Sequence, residues 1–319
     1  MKIRDIDVLV VGAGPTGLAA AIELRRLHAG TVVVLEREEA VGGTARPAGN
    51  GLKDLNRALS GPGDARHYVR LARAVGAELV TSTTASGWLS AHTPAPAPAP
   101  APPGGRAPDG SAPDHPLVGL ITAGPAGPTE WHARAVLLAT GCADRSRPAR
   151  PPADDCATDQ NLARAGDLEM DSATNGPAVD ESLRTSRLGV FAAGNLTHAA
   201  VTADLAAIAG RHAARAIGEY LSGAGWPTHS LDVVATAPLT WVHPQRLSFP
   251  LSPPPGGRFL TGATIFDERG HLELSQAGQV LHREVKRHIM PNRSVTLRTG
   301  VLAGISPDAG PVTLRWVAR

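Results

Sequence analysis

The chain of 319 residues has only two cysteines, Cys142 and Cys156. That excludes a disulfide scaffold, a cysteine-rich zinc module and a cysteine-ligated iron–sulfur cluster. Aromatic residues make up 3%, so a core has to be built from Val, Leu, Ile and Ala. No apolar run approaches the roughly eighteen residues that read as a membrane-spanning helix. The opening stretch MKIRDIDVLVVGAGP is interrupted by Asp5 and Asp7 and has no small-residue cleavage site, so no signal peptide is expected. An excess of one charge is also lacking. The formal net charge is +2, too balanced for an electrostatic footprint on nucleic acid or an anionic membrane. The expectation is a soluble cytoplasmic protein that binds neither.

Apolar and turn-forming residues are plentiful: 42% hydrophobic residues, 35 Gly and 28 Pro. This is enough for a core of ordinary size, in a chain with about two domains' worth of length. Residues 6–11 form a nearly continuous apolar run, the pattern of a parallel strand covered on both faces. In 16–29, Leu18, Ala21, Ile22 and Leu24 recur at helical spacing, and Gly30 stops the helix. Residues 31–35 give a second strand ending at Glu36, which completes a βαβ unit. An amphipathic helix is predicted over 64–75, with strand-like pieces at 78–81 and 86–89.

The alternating Pro/Ala tract 94–103, in a loop reaching Pro116, predicts an extended, solvated polyproline segment. A partner-docking PxxP motif is the alternative reading. Strands are predicted at 117–122 and 130–135, and a further buried strand at 136–141. Residues 142–160 are polar, Pro-rich and without pattern. A strand at 188–193 and a long helix at 202–221 follow. Residues 223–257 read as irregular, and 258–319 alternate like strands.

The strongest motif is Gly12-Ala13-Gly14-Pro15-Thr16-Gly17. It follows a buried strand, opens a helix, and precedes a second strand that ends in Glu36, 19 residues past Gly17. The first glycine permits a tight turn, the second lets backbone approach a pyrophosphate, and the third lets helix and strand pack closely. The helix N-terminus offers unpaired N–H groups to phosphates, and Glu36 can accept hydrogen bonds from a ribose diol. A strand–turn–helix in an unrelated α/β protein is the bland alternative. An acid at 36 argues against the 2′-phosphate of NADP. The second glycine pair, Gly42-Gly43-Thr44, is needed by a longer cofactor that runs on toward a flavin.

Four landmarks occur in order: GAGPTG at 12–17, Glu36 with Gly42-Gly43-Thr44, Ala139-Thr140-Gly141, and Thr185-Ser186 through LGVFAAGN at 188–195. In these the chain resembles the glutathione-reductase-like FAD-dependent pyridine nucleotide oxidoreductases over roughly 5–141 and 162–222. Through 51–65 and 168–185 it looks like the FAD-dependent α subunits of dye-linked amino-acid and hydroxyproline dehydrogenases. The resemblance implies an α/β, Rossmann-like FAD-binding domain with a central parallel sheet and a β-meander, and FAD as cofactor. It implies that Glu36 and Arg37 hold the adenosine ribose and that Gly43 and Thr44 line the pyrophosphate. The Ala85 backbone would meet the adenine, and Ala139 and Gly141 would pass beneath the cofactor. Where the family usually has Gly-Asp this chain has Asn195, whose amide can still accept a ribitol hydroxyl bond, but without charge. The helix starting near Thr202-Ala203 would aim its N-terminus at the flavin N1/C2 edge.

Only 48 residues separate Thr140 from Gly189, and no second GxGxxG occurs. One βαβ unit takes about 30 or more, so an NAD(P) domain is expected to be missing. The implied organisation is an FAD-binding domain in two parts, 1–141 (with the Pro/Ala loop at 94–116) and 162–222. A linker at 142–161 joins them, and a small β-rich module follows at 223–319. The redox CxxC of the disulfide reductases is absent. His198 is a candidate catalytic acid/base, against the alternative of a satisfied loop histidine. No HxxxH or HExxH pairing supports a metal site.

The resemblance implies an FAD-dependent oxidoreductase subunit. It would pass electrons from a small amine or amino-acid type substrate to a partner dehydrogenase subunit or other acceptor. A non-catalytic or electron-relay flavin-binding subunit and a flavin-dependent monooxygenase are the competing readings.

Overall fold

A computed structural model describes residues 1–43, 62–89, 116–141, 155–198, 202–291, 293–298, 302 and 304–319. The apolar run that begins at Ile6 lies in strand β1 (Lys2–Val11), which starts earlier than its hydrophobic pattern because its first residues pair at the sheet rim. β1 is central. It pairs in parallel with β2 (Val32–Leu35) and with β6 (Thr129–Leu138), setting Val10 beside Val34 and Leu137. The sheet runs β3 (Glu78–Val80), β2, β1, β6, β5 (Val118–Ala123), β4 (Thr84–Trp88), and β7 (Val190–Ala192) also pairs with β6.

β6 is a single strand where the sequence suggested two, at 130–135 and 136–141. Its burial alternates from Thr129 to Arg134 and is continuous from Ala135 to Leu138. The first half pairs antiparallel with β5, in the β4–β5–β6 meander. The last residues pair in parallel with β7, Val136 opposite Val190. A strand covered on one face alternates, and one covered on both does not; the change of pattern is a change of surroundings within one strand.

Helix α1 (Pro15–Arg26) follows β1, and α2 (Pro62–Ala74) precedes β3. The segment read as a patternless linker ends in a helix instead, α3 (Asp155–Ala165). It is held by burial of Leu162 and Ala163 and by the Trp88 indole N–H, which donates to Leu162 O at 2.6 Å. Between β6 and β7 the other described residues are irregular chain with two isolated bridges, Met170 to Pro177 and Arg184 to Phe191 of β7. Thr44, residues 90–115 of the Pro/Ala loop, and 142–154 with Cys142 lie outside the described residues.

The long helix α4 (Ala203–Leu221) packs on α1 through small residues. A Cβ at Gly210 would stand 2.1 Å from Thr16 O, so the two helices meet at backbone contact. Beyond α4 the chain forms a second core, built on Leu247, Phe259, Leu272, Ile289, Val312 and Leu314. One sheet is ordered β10 (Arg246–Ser248), β8 (Ser230–Ala235), β15 (Val312–Ala318), β12 (Asp267–Gln276), β13 (Gln279–Ile289). The other is ordered β14 (Val295–Arg298), β11 (Arg258–Ala263), β9 (Leu239–His243). The stretch 223–257, read as irregular, thus contains three strands. Pro238 and Pro244 flank β9 without entering it, the placement a strand tolerates, and they obscured the alternation between them.

Candidate functional site

The glycine loop joins β1 to α1. Gly12 has φ +107°, and a Cβ there would lie 2.4 Å from Ala139 O; a Cβ at Gly17 would lie 1.9 Å from Gly12 O. Both positions require glycine for packing. Gly14 differs, since a Cβ there would meet nothing within 4 Å. Gly14 is the N-cap of α1, no side chain caps this end, and Pro15 follows. The open face at Gly14 and the amino end of α1 together form a seat for an anion.

Glu36 is buried at the end of β2. Its Oε2 accepts the Ala13 N–H at 2.9 Å and its Oε1 accepts the Glu38 N–H at 3.0 Å. The carboxylate therefore holds the glycine loop from below, a duty its ribose-binding reading did not include. The second glycine pair docks on the same loop: Gly42 N–H donates to Ala13 O at 2.9 Å, and Gly43, at φ +58°, comes within 3.0 Å of the Gly14 Cα through its would-be Cβ. Arg37 lies beside Glu38 at 3.9 Å. Ala85 sits in β4 opposite Thr122, half-buried at the first core.

At this same end of β1, Ala139 N–H donates to Val11 O at 2.8 Å and Ala193 N–H donates to Leu138 O at 3.0 Å. These bonds bring 139–141 and 193–195 alongside the glycine loop. A Cβ at Gly194 (φ +77°) would stand 2.2 Å from Thr16 Oγ1, so this turn lies against the start of α1. Gly141, also at φ +77°, faces open space. Thr140 Oγ1 and Asn195 Oδ1 are buried with no hydrogen-bond partner among the described residues. Buried polar atoms are rarely left so without a role. An open glycine cradle at one end and two orphaned acceptors at the other fit an extended cofactor with a diphosphate and a polyol.

The turn after β7 continues to His198, which is 2% exposed. Thr197 Oγ1 donates its one proton to Gly194 O at 2.9 Å and lies 2.9 Å from His198 Nδ1. The hydroxyl's proton is committed, so Nδ1 must donate to it and Nε2 is a bare acceptor. That Nε2 has no partner among the described residues. His198 stacks on His243 with centroids 4.0 Å apart and lies 5.4 Å from Trp241. Trp241 and His243, two apart on β9, share a strand face. Burial pushes His198 down to about 3 and holds His243 well below the ordinary imidazole range, with His198 adding to the effect on His243. Both rings are neutral at physiological pH.

A cavity of about 700 Å³ opens beside them, between α4 and the β-rich module. Gly194, His198, Thr202 and His243 line one end, and Arg211, Arg215 and Arg258 also border it. Thr202 caps α4, its Oγ1 accepting the Leu205 N–H at 3.4 Å, with Ala203 the first helical residue. His212 Nε2 donates to Glu181 O at 2.7 Å, tying the cavity wall to the junction of the two cores. There Glu181 Oε2 accepts the Ser248 N–H at 2.8 Å, and burial, with Asp180 beside it, pushes its carboxyl up to about 7. His243, Arg258 and Glu181 were not singled out from sequence. The Trp-x-His spacing on β9 was the signal for His243, once 239–243 is read as a strand.

Residues 7–86 match the family model described as FAD binding domain. The match supports FAD as the cofactor. No curated protein matches the chain. Among solved structures, HlmI is 16% identical over 68% of this chain and 92% of its own, with a TM-score of 0.50. A thioredoxin reductase from Gloeobacter violaceus is 18% identical over 70% and 98%, with a TM-score of 0.48. The L-proline dehydrogenase from P. horikoshii is 16% identical over 70% of this chain, which spans 57% of that protein's length, with a TM-score of 0.46. At these identities the likeness is one of fold alone.

Proposed function

We propose that this FAD-dependent oxidoreductase dehydrogenates a small amine or amino-acid type substrate and passes the electrons to a partner subunit or other acceptor. One observation carries the reading. The short turn 194–198 presents Asn195, with its orphaned Oδ1, on the cofactor side, and His198, with its bare Nε2, on the wall of the 700 Å³ cavity. A substrate held in that cavity would lie against the same turn that carries Asn195. FAD, when bound, supplies the two-electron acceptor that such chemistry requires.

The chain's own groups then have distinct tasks. The open face at Gly14 and the start of α1 would hold the diphosphate, Glu36 fixes the loop that would do so, and Asn195 would accept a hydroxyl bond. Helix α4 begins beside that turn and directs its positive end toward the same place. His198, kept neutral by burial, accepts a hydrogen bond from an N–H or O–H of the substrate, so that the donor is oriented before the reaction.

The test is anaerobic mixing of the FAD-loaded protein with a panel of amines and amino acids, with and without an artificial dye. Flavin bleaching by a member of the panel, with multiple turnovers when dye is present, is the expected result. A flavin that stays oxidised throughout, yet exchanges electrons with a reduced dye, supports an electron-relay subunit and overturns the reading.

A further inference from the structure

The cavity beside α4 differs from an ordinary solvated cleft in its charge. Arg258, at the start of β11, makes no ion pair or side-chain hydrogen bond among the described residues. Among the described residues Arg211 has only a neutral partner, its Nη1 donating to the Tyr68 hydroxyl at 3.3 Å. Among the described residues Arg215 is the one guanidinium of the wall with a carboxylate, Glu23 at 3.0 Å. Asp204, in the first turn of α4, is the acidic residue of the lining. Three arginines thus line the cavity with one carboxylate, and burial lowers all three lining histidines, His198, His212 and His243, which favours their neutral rings. Between the charges the wall is apolar, formed by Leu205, Ile208 and Leu260.

Arg258 is exposed at the rim of the cavity and Arg211 is half-buried; a guanidinium without a carboxylate partner favours an anion, and it holds planar oxyanions with paired, charge-assisted hydrogen bonds. We infer that the cavity binds an organic carboxylate: an acid whose anionic group meets Arg258 and Arg211, whose body lies on Leu205, Ile208 and Leu260, and which offers an N–H or O–H to His198 Nε2. This deepens the proposed function and rests on its reading of the cavity as the substrate site, because it divides the amine and amino-acid class. Substrates carrying a carboxylate fit, whereas a plain amine brings a second cation to an already cationic wall.

The experiment is isothermal titration of the FAD-loaded protein with three probes of one shape: phenylacetate, phenylacetamide and 2-phenylethylamine. The expected result is that phenylacetate binds at least about tenfold tighter than the amide, with the amine weakest. R258Q and R211Q should each weaken phenylacetate binding by about tenfold, R258K should recover part of it, and none should change amide binding. Thermal melts confirm that each variant is folded, and two independent positions guard against one failing. Equal binding of acid and amide, tighter binding of the amine, no binding of any probe, or unchanged affinity in both glutamine variants overturns the inference. Flavin reduction on the same preparation separates the two claims. Reduction by plain amines without carboxylate preference keeps the oxidoreductase reading and removes this one. Carboxylate preference without any reduction does the reverse.

Discussion

A methyl group on Gly17 would stand 1.9 Å from the carbonyl oxygen of Gly12, while one on Gly14, three residues earlier, would touch nothing within 4 Å. The first contact is between protein and protein; the second position is open for a ligand. Gly17→Ala must push α1 away from β1, and its cost should reach about 3 kcal/mol or more, as overpacking against backbone does. Gly14→Ala, with φ at −80°, should cost under about 1 kcal/mol and yet weaken FAD binding about tenfold. Urea unfolding and fluorescence titration with FAD separate the effects. Unchanged FAD affinity in Gly14→Ala would remove the diphosphate from this loop.

The paired histidines give the protein an acid limit. Burial holds His198 at about 3 and His243 well below its ordinary value, whereas in the unfolded chain both titrate near about 6.5. Below that pH the unfolded chain takes up protons that the folded chain refuses. Stability should therefore be independent of these groups above about pH 7 and fall as pH drops below about 6.5, by up to about 1.4 kcal/mol per pH unit for each ring. His198→Asn retains a donor near Thr197 and has no ring to protonate. The difference between wild type and variant, followed by urea unfolding from pH 7.5 to 5, should narrow as pH falls. Parallel curves would mean that His198 is not buried as described.

Much of this was legible in the sequence because the cofactor's seat is local. Gly12, Gly14 and Gly17 lie within six residues, and Glu36 is fixed relative to them by one helix and one strand. Adjacent positions in the chain are adjacent in space, so pattern suffices. Glu36 shows where the pattern stops: its bond to the Ala13 N–H depends on which way a buried carboxylate turns, and no spacing reports that. The cavity was not legible, because its wall joins His198 and Arg211 to His243 and Arg258 across a long stretch of chain. Its second half comes from strands whose flanking prolines hide their alternation. The tautomer of His198 depends on a single hydroxyl proton of Thr197, which is a tertiary fact.

Glu181 works against the histidines. Its carboxyl is raised from the ordinary 4.5 to about 7, by burial first and by Asp180 second. Between these values the folded chain binds a proton that the unfolded chain has released, so this group adds stability as pH falls from about 7 toward 4.5. Above pH 7 the ionised, buried carboxylate is a cost. Glu181→Gln mimics the protonated form and can still accept the Ser248 N–H. It should be more stable than wild type at pH 8, by about 1–3 kcal/mol, and lose that advantage by about pH 5. An advantage that stays constant with pH would show that Glu181 does not titrate in this window.

Asn195 separates cofactor binding from folding. Its Oδ1 is buried and makes no hydrogen bond to the described protein, so the folded chain without cofactor gains nothing from it. Asn195→Ala removes the desolvated amide and should leave cofactor-free stability within about 1 kcal/mol of wild type, or slightly higher. If the amide accepts a ribitol hydroxyl, the same change should weaken FAD binding by roughly five- to tenfold, the worth of about one neutral hydrogen bond. Asn195→Asp should behave in the opposite sense. An unpaired carboxylate here lacks a cation and should lower cofactor-free stability by about 1–3 kcal/mol, while its charge strengthens the bond to a hydroxyl and raises FAD affinity. The comparison needs thermal melts without cofactor and flavin-fluorescence titrations with it. If Asn195→Ala binds FAD as wild type does, the orphaned oxygen serves some other purpose and the cofactor ends short of α4.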